Sequence, residues 1–266
     1  MTISHKEHHF VPRVYLKQWT SNTKGNIGLY TLNLRDNFPR KQCTSKIAKK
    51  KNLYTIPLKY GIDNKLTETF IFKMHEDLWP TVISGLNSRK ALSISQVKSL
   101  RNFVIIQSLR TPKFAKGTKE VMEASSNQSL KDIPFSTDWV YNGIRLFPIL
   151  AKNCCVELYR SLELKNFITS DNPATHWIIQ GSNFTFLKST ALNKDLMKNP
   201  YYKIICPVTP RYFAILTPNI GIEILDSIKS KVSIKRADLN KVNIFNGLTE
   251  MGADKLLFSY ILNDFI

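Results

Sequence analysis

Four short stretches of the sequence place polar side chains in apolar surroundings. They contain residue types that can transfer a proton or hold an anion, namely His, Gln, Arg, Asp and Asn. Such side chains are rarely placed among apolar residues unless a partner or a ligand satisfies them. The candidate site therefore draws on "HHFVP" (residues 8–12), "MHEDLW" (74–79), "IIQSLRTP" (105–112) and "FITSDNPATHW" (167–177).

His8 and His9 are adjacent and are predicted to lie on a strand, where neighbouring side chains point to opposite faces. A metal site that uses both imidazoles is therefore not expected. One imidazole that faces a site could act as a general acid or base near neutral pH. The alternative is a histidine that hydrogen-bonds a backbone carbonyl and packs in the core.

Gln107 and Arg110 lie three residues apart near the end of a predicted helix, so their side chains are neighbours. A guanidinium is a planar fork of donors that can hold a phosphate or a carboxylate. Lys113, Lys116 and Lys119 follow without an acidic residue among them, which favours a phosphate-facing rim. The alternative is an arginine that only stabilises the helix end through the helix dipole.

Ser170, Asp171 and Asn172 precede Pro173, and this order is typical of a tight turn. A rigid turn would fix a carboxylate and an amide in place, as a catalytic site requires. The alternative is turn chemistry alone. Glu76 is expected on a solvated helix face. The sequence contains no metal-ligand set, and Glu76 and Asp171 are the carboxylates that would serve if a metal is used.

The composition favours a polyanionic partner. The sequence has 38 Lys and Arg against 20 Asp and Glu, which gives a formal net charge of +18. Residues 35–60 carry many of these cations, and Tyr54 lies among them, where it could stack on a base. Biased codon usage is the alternative source of the lysines. No signal peptide and no long apolar run is present, so a cytoplasmic protein without a membrane partner is expected.

The element pattern predicts an α+β fold with one shared core, and thus a single domain over residues 1–266. A β segment (residues 8–60) begins with a short hairpin and includes residues 10–19 as a strand. A helical segment (65–165) follows, in which residues 93–112 are the clearest helix and residues 139–163 form a further helix or pair. A β-rich segment (166–266) ends in one or two helices over residues 237–260.

The order of the motifs His-x-x-Pro, Gln-x-x-Arg-Thr-Pro and Ser-Asp-Asn-Pro resembles the bacterial domain-of-unknown-function family 4238. The resemblance runs from His8 to about Leu216. It has no established reaction to transfer, but some members resembling this chain occur as stand-alone anti-phage genes in mobile-element defence loci. The resemblance therefore implies an anti-phage effector and a shared polar site. The matching positions are His9, Pro12, Gln107, Arg110, Thr111, Pro112, Ser170, Asp171, Asn172 and Pro173, with Glu76 a looser match.

The leading hypothesis is an effector that acts on nucleic acid as a nuclease. His9 would be the general acid or base, Arg110 would stabilise charge on the scissile phosphate, and Gln107 would orient it. Asp171 would orient the imidazole or bind a metal, and Asn172 would position the substrate. The substrate-binding side chains would be those of His8, Tyr54, Lys113 and Ser170.

Two other hypotheses stand beside the nuclease. The first is a non-catalytic binding or sensor protein that recognises a phage component or a small ligand. The second is purely structural: the polar residues would tie the N-terminal strand, the central helix and the Ser-Asp-Asn-Pro turn together. The sequence indicates neither a cofactor nor an oligomeric state.

Overall fold

The fold is known from a computed structural model. It describes residues 7–23, 25–51, 53, 72–88, 91–124, 147, 150–152, 154–162, 165–187, 196, 198–218, 232 and 234–265. Helices and several sheets alternate along these residues, so the fold is α+β as predicted. The predicted substrate contact Tyr54 lies outside the described residues.

The N-terminal part consists of short strands and one short helix. In chain order these are β1 (Glu7–His9), α1 (Arg13–Leu16), a 3-10 turn (Lys17–Trp19), β2 (Ser21–Thr23), β3 (Asn26–Asn33), β4 (Pro39–Gln42) and β5 (Lys49–Lys51). β1 pairs with β5, and β2 and β3 form a hairpin whose turn and second strand lie where they were predicted, but whose first strand is residues 21–23 and not 10–19. Gly25 in the hairpin turn has a φ of 78°, which a glycine adopts without strain.

The prediction that residues 10–19 form a strand is wrong, because they form α1 and the 3-10 turn. Pro12 precedes α1 with a φ of −59°, a value close to that of a helix. Tyr15, Leu16 and Trp19 are all fully buried. Helical turns place residues of this spacing on one face, whereas a strand would alternate them between two faces.

Four longer helices lie among the described residues. They are α2 (Met74–Asn87), α3 (Ile94–Leu109), α4 (Pro112–Ala124) and α5 (Leu239–Gly252). α3 is the clearest predicted helix, and Ser93 caps it: its Oγ accepts from Gln96 N at 3.3 Å, and Gln96 Oε1 accepts from Ser93 N at 2.8 Å. No helix in the described part of the chain is long and apolar enough to cross a membrane.

A six-stranded sheet dominates the C-terminal part. Its strands are β6 (Cys154–Ser161), β8 (Thr175–Gln180), β9 (Asn183–Phe186), β10 (Tyr202–Thr209), β11 (Tyr212–Pro218) and β12 (Ile234–Ala237). They are ordered β12-β6-β11-β10-β8-β9, and all neighbours are antiparallel except β12 and β6. The β-rich C-terminal part is therefore confirmed.

A second sheet joins the two ends of the described chain. β13 (Leu256–Ser259) lies between β3 and β7 (Thr169–Ser170), and β4 pairs with the other edge of β3. This pairing places the Ser-Asp-Asn-Pro turn, which begins at the last residue of β7, one strand away from β3. The sheet thus determines which segments surround the candidate site.

Two helix predictions are wrong at β6 and β13. Residues 154–161 belong to the six-stranded sheet and not to a helix, and within 237–260 only Leu239–Gly252 is helical. β6 is held between β11 and β12, and β13 between β3 and β7, so distant strands decide their conformation. Tertiary pairing overrides local propensity in such positions.

The largest buried cluster draws on the N-terminal part, the helices and the six-stranded sheet. It includes Trp19, Trp79, Phe103 and Leu216. The rings of Trp79 and Phe103 stack with centroids 3.9 Å apart. Tyr15 links these parts further, because its hydroxyl donates to the Pro207 carbonyl at 2.6 Å. A shared core of this kind holds the candidate residues in a fixed arrangement.

Candidate functional site

Arg110, at the C-terminal end of α3, binds two separate chain segments. Its Nη1 donates to Glu76 Oε1 at 2.7 Å, and its Nη2 donates to the backbone carbonyl of His9 at 2.6 Å. The guanidinium also lies over the ring of Phe72, with 4.2 Å from Cζ to the ring centroid. Arg110 is 5% exposed. The donor fork that was predicted to hold a phosphate is therefore occupied by protein groups.

Gln107 holds the residue next to His9. Its Nε2 donates to the backbone carbonyl of Phe10 at 2.9 Å. Gln107 is buried and does not lie at an exposed edge of the helix. The end of α3 thus binds two consecutive carbonyls at the end of β1, those of His9 and Phe10, and these contacts fix where the N-terminal strand meets the helix.

The Ser-Asp-Asn-Pro turn is tied to both α4 and α5. Thr111 Oγ1 donates to Asn172 Oδ1 at 2.6 Å, and Asn172 Nδ2 donates to the Gly252 carbonyl at 2.9 Å. Within the turn, Asn172 N donates to Ser170 Oγ at 3.1 Å, as expected for this turn chemistry. All of these polar groups are buried.

Asp171 fixes the segment between α5 and β13. Its Oδ1 accepts from Asp254 N at 2.9 Å and its Oδ2 from Lys255 N at 3.0 Å. Burial raises the pKa of Asp171 from 3.8 to about 6, and the hydrogen bonds from backbone amides act in the opposite direction. The carboxylate therefore holds backbone amides. It makes no hydrogen bond to His9 among the described residues.

His8 and His9 point to different environments, as the strand geometry predicts. His8 is buried, whereas His9 is partly exposed. Burial lowers the pKa of His9, the charges of Arg13 and Lys49 lower it further, and the Ile47 backbone opposes them. Nδ1 of His9 has no hydrogen-bond partner in the described part of the chain. The His9 ring is therefore biased toward its neutral form.

The two carboxylates considered for a metal have other partners. Glu76 is bound by Arg110, and Asp171 by two backbone amides. Among the described residues, no group of three or more His, Cys, Asp or Glu side chains could hold a metal ion. A metal at Glu76 or Asp171 would have to displace these contacts.

Gln107, Arg110, Thr111, Ser170, Asp171 and Asn172 are together called the polar cluster. A large open cleft lies beside it. Its volume is about 1100 Å³, and β3, β4, residues 46–50, the start of α4 and residues 254–256 contribute to its wall. Among the residues that line it, the acids are Asp171 and Asp254. The cations that line it are Arg35, Arg40, Lys46, Lys49, Lys50, Lys113, Lys116 and Lys255. We call this cleft, together with the residues that line it, the basic cleft.

The cations of the basic cleft fall into two groups. Some have protein partners: Arg40 with Asp36 at 3.1 Å, Lys49 with Glu7 at 2.5 Å, Lys116 with Glu120 at 3.8 Å, and Lys113 with the carbonyls of Gly252 and Ala253 at 2.9 and 2.7 Å. The second group makes no ion pair with any described residue. It consists of Arg35, Lys46, Lys50 and Lys255.

The sequence predicted part of this cleft. Five cations of the run over residues 35–60 line it, and so do Lys113 and Lys116 of the predicted rim. Lys255 was not predicted, because only the pairing of β13 with β3 brings it beside the N-terminal strands. His8 and Ser170 are buried, and neither lines the cleft.

Comparison with known proteins gives one match. A family model described as "Protein of unknown function (DUF4238)" matches residues 7–138. This range contains the His-x-x-Pro and Gln-x-x-Arg-Thr-Pro motifs and ends before the Ser-Asp-Asn-Pro turn, so it is narrower than the extent predicted. No curated protein and no solved structure matches the chain.

Proposed function

We propose that this chain, whose residues 7–138 match the model of the family of proteins of unknown function DUF4238, binds the phosphate backbone of a nucleic acid in the basic cleft. The observation that carries this proposal is the charge of the lining, where eight Lys and Arg face two Asp. Cations grouped in a concave site focus the field and raise the local concentration of a polyanion. Release of condensed counterions then drives binding.

In this proposal the polar cluster has a structural role: its side chains hydrogen-bond the backbone segments that form the wall of the cleft. Asp171 holds the amides of Asp254 and Lys255, and Lys113 holds the carbonyls of Gly252 and Ala253. Each contact orders backbone that lines or borders the cleft. Arg110 and Gln107 act in the same way on residues 9 and 10.

Charge reversal in the cleft tests the proposal. Binding of labelled RNA and DNA is measured by fluorescence anisotropy for the wild type and for the double variant Lys50→Glu/Lys255→Glu. The matched control is Lys17→Glu/Arg236→Glu, which changes the net charge equally at exposed positions outside the cleft. We expect a loss of affinity for the cleft variant alone. An equal loss for both variants would mean that net charge, and not the cleft, attracts the polyanion.

Cleavage of the bound strand is a second candidate function, and the ring of His9 favours it. His9 is partly exposed and its pKa is lowered; it does not itself line the cleft, but Phe10, next to it in sequence, and Lys49, its partner in β5, do. A neutral imidazole can accept the proton of an attacking hydroxyl or water. Incubation with tRNA and with plasmid, with and without EDTA, separates metal-assisted cutting from cutting by imidazole alone.

For the biological setting we propose anti-phage defence, which the family resemblance supports. The alternative is a sensor that recognises a phage component or a small ligand without any turnover. Plating efficiency of a phage panel on cells that express the chain tests defence. If Lys50→Glu/Lys255→Glu loses protection and Lys17→Glu/Arg236→Glu retains it, protection requires the cleft.

A further inference from the structure

An aromatic ring stands exposed among the cations of the basic cleft. Phe38 lines the cleft and is 62% exposed to solvent. It lies in the turn between β3 and β4, which also carries Arg35, and Arg40 is the second residue of β4. Single exposed apolar side chains are common on protein surfaces, so it is the position of this ring among the cations of a concave site that points to a ligand.

The turn that carries Phe38 is well ordered by local contacts. Asp36 Oδ1 accepts from Phe38 N at 3.1 Å, and Asp36 Oδ2 binds Arg40 Nη2 at 3.1 Å. Asn37 has a φ of 50°, a conformation that asparagine tolerates better than most residues. The ring is therefore presented at a defined place on the cleft wall.

The surroundings of the ring suit a nucleobase. Arg40 Cζ lies 5.8 Å from the centroid of the Phe38 ring, and Arg35 lies three residues before it. Exposed aromatic rings next to cations are how proteins bind unpaired strands: the ring stacks on a base while the cations contact phosphates. In a duplex the base faces are already stacked on one another, so a ring can stack on a base only after a base step has been unstacked, which costs free energy.

We propose that the basic cleft binds a single-stranded nucleic acid and that Phe38 stacks on one of its unpaired bases. This inference rests on the proposed binding of nucleic acid and specifies its form. Arg35, Lys46, Lys50 and Lys255 contact the phosphates, and Phe38 provides the discrimination between unpaired and paired bases.

The test compares a single-stranded oligonucleotide with the duplex of the same sequence. Anisotropy titrations are performed with the wild type, Phe38→Ala and Phe38→Trp. We expect the wild type to prefer the single strand. Phe38→Ala should weaken single-strand binding by roughly tenfold or more, as loss of one stacking contact does, and leave duplex binding unchanged. Phe38→Trp should retain single-strand binding, because indole also stacks.

A matched control and the opposing outcomes complete the test. Ile27→Ala removes another exposed apolar side chain, 65% exposed and not part of the cleft lining, and should change neither titration. If Phe38→Ala binds the single strand like the wild type, or weakens both ligands equally, the stacking role is overturned. Cleft binding itself would still stand if Lys50→Glu/Lys255→Glu loses affinity. A wild type that binds no nucleic acid would refute both proposals.

Discussion

The guanidinium of Arg110 and the carboxylate of Glu76 form an ion pair of 2.7 Å that joins α3 to α2. Arg110 is 5% exposed and Glu76 29% exposed, and the same guanidinium also binds the carbonyl of His9. The Arg110 side chain thus connects α3 to α2 and to β1. This position explains why a charged residue can lie at the end of an otherwise apolar helix.

Removal of the Arg110 guanidinium should be costly for stability. Arg110→Ala leaves the His9 carbonyl and the Glu76 carboxylate without their donor, and breaking a mostly buried pair costs about 3 kcal/mol. Arg110→Lys should recover only part of this loss, because an ammonium cannot reproduce the planar fork. Urea unfolding monitored by circular dichroism measures the free energy of unfolding of each variant.

The exposed pair of Arg40 with Asp36 is the control for this experiment. Its side chains are 57% and 39% exposed, so Arg40→Ala should cost less than about 1 kcal/mol. If Arg110→Ala is as mild as Arg40→Ala, the Arg110 contacts contribute no more than a surface ion pair does.

Asp171 should make stability depend on pH in a defined range. Its pKa is raised from 3.8 to about 6, so between these values the folded chain holds a proton that the unfolded chain has released. The free energy of unfolding must then fall as the pH rises from about 4 to about 6, and the contribution of Asp171 is constant above that range. Asp171→Asn cannot ionise and lacks this dependence.

The measurement is the difference in unfolding free energy between Asp171→Asn and the wild type at several pH values. We expect the difference to move in favour of the variant by roughly 1–3 kcal/mol between pH 4 and 6. Asparagine also loses one acceptor for a backbone amide, which lowers stability at every pH equally. A difference that does not change with pH would show that Asp171 titrates normally in the folded chain.

The elements and contacts that were predicted from the sequence are local ones. α3 is recognisable because Ser93 and Gln96 form its cap and Thr111-Pro112 follows its end. The β-rich character of the C-terminal segment is recognisable from apolar runs such as those of β10 and β11, which flank a proline-containing turn. In both cases the signal lies within a few residues of the structure it specifies.

What could not be predicted depends on residues far apart in the chain. β6 and β13 take their conformation from strands distant in the sequence, so local periodicity indicates the wrong element. Some of the motif residues do meet in the structure: the Arg110 guanidinium binds the His9 carbonyl, and the Thr111 hydroxyl binds Asn172. Their contacts are largely with backbone atoms, which a side-chain pattern does not reveal.

His9 should control cleavage, if the chain cleaves, without controlling binding. His9→Ala should lower the cleavage rate by about 100-fold or more, the usual share of a general acid or base, while the affinity for the oligonucleotide stays within about twofold. Because the pKa of His9 is lowered, its neutral form is already dominant near neutral pH. The rate should therefore rise with pH only below about 6.5 and then level off.

Single-turnover cleavage assays at saturating protein, performed at pH values below and above about 6.5, measure the rate of the cleavage step. His8→Ala is a poor control because His8 is buried in the core. Lys17→Ala, at an exposed position outside the cleft, is the appropriate one. Cutting that persists undiminished in His9→Ala would assign the reaction to other residues or to a contaminant.

The salt dependence of binding should report how many cations contact phosphates. Four cations of the cleft, Arg35, Lys46, Lys50 and Lys255, make no ion pair with a described residue and are available to a ligand. For a single strand each phosphate contact contributes about −0.7 to the slope of log K against log salt, so the wild type should show a slope of about −3. Binding titrations at salt concentrations between about 50 and 200 mM measure this slope.

Lys50→Glu/Lys255→Glu removes two contacts and should roughly halve the slope, whereas Lys17→Glu/Arg236→Glu should leave it close to the wild-type value. A slope near zero for the wild type would mean that the cleft does not contact the phosphate backbone.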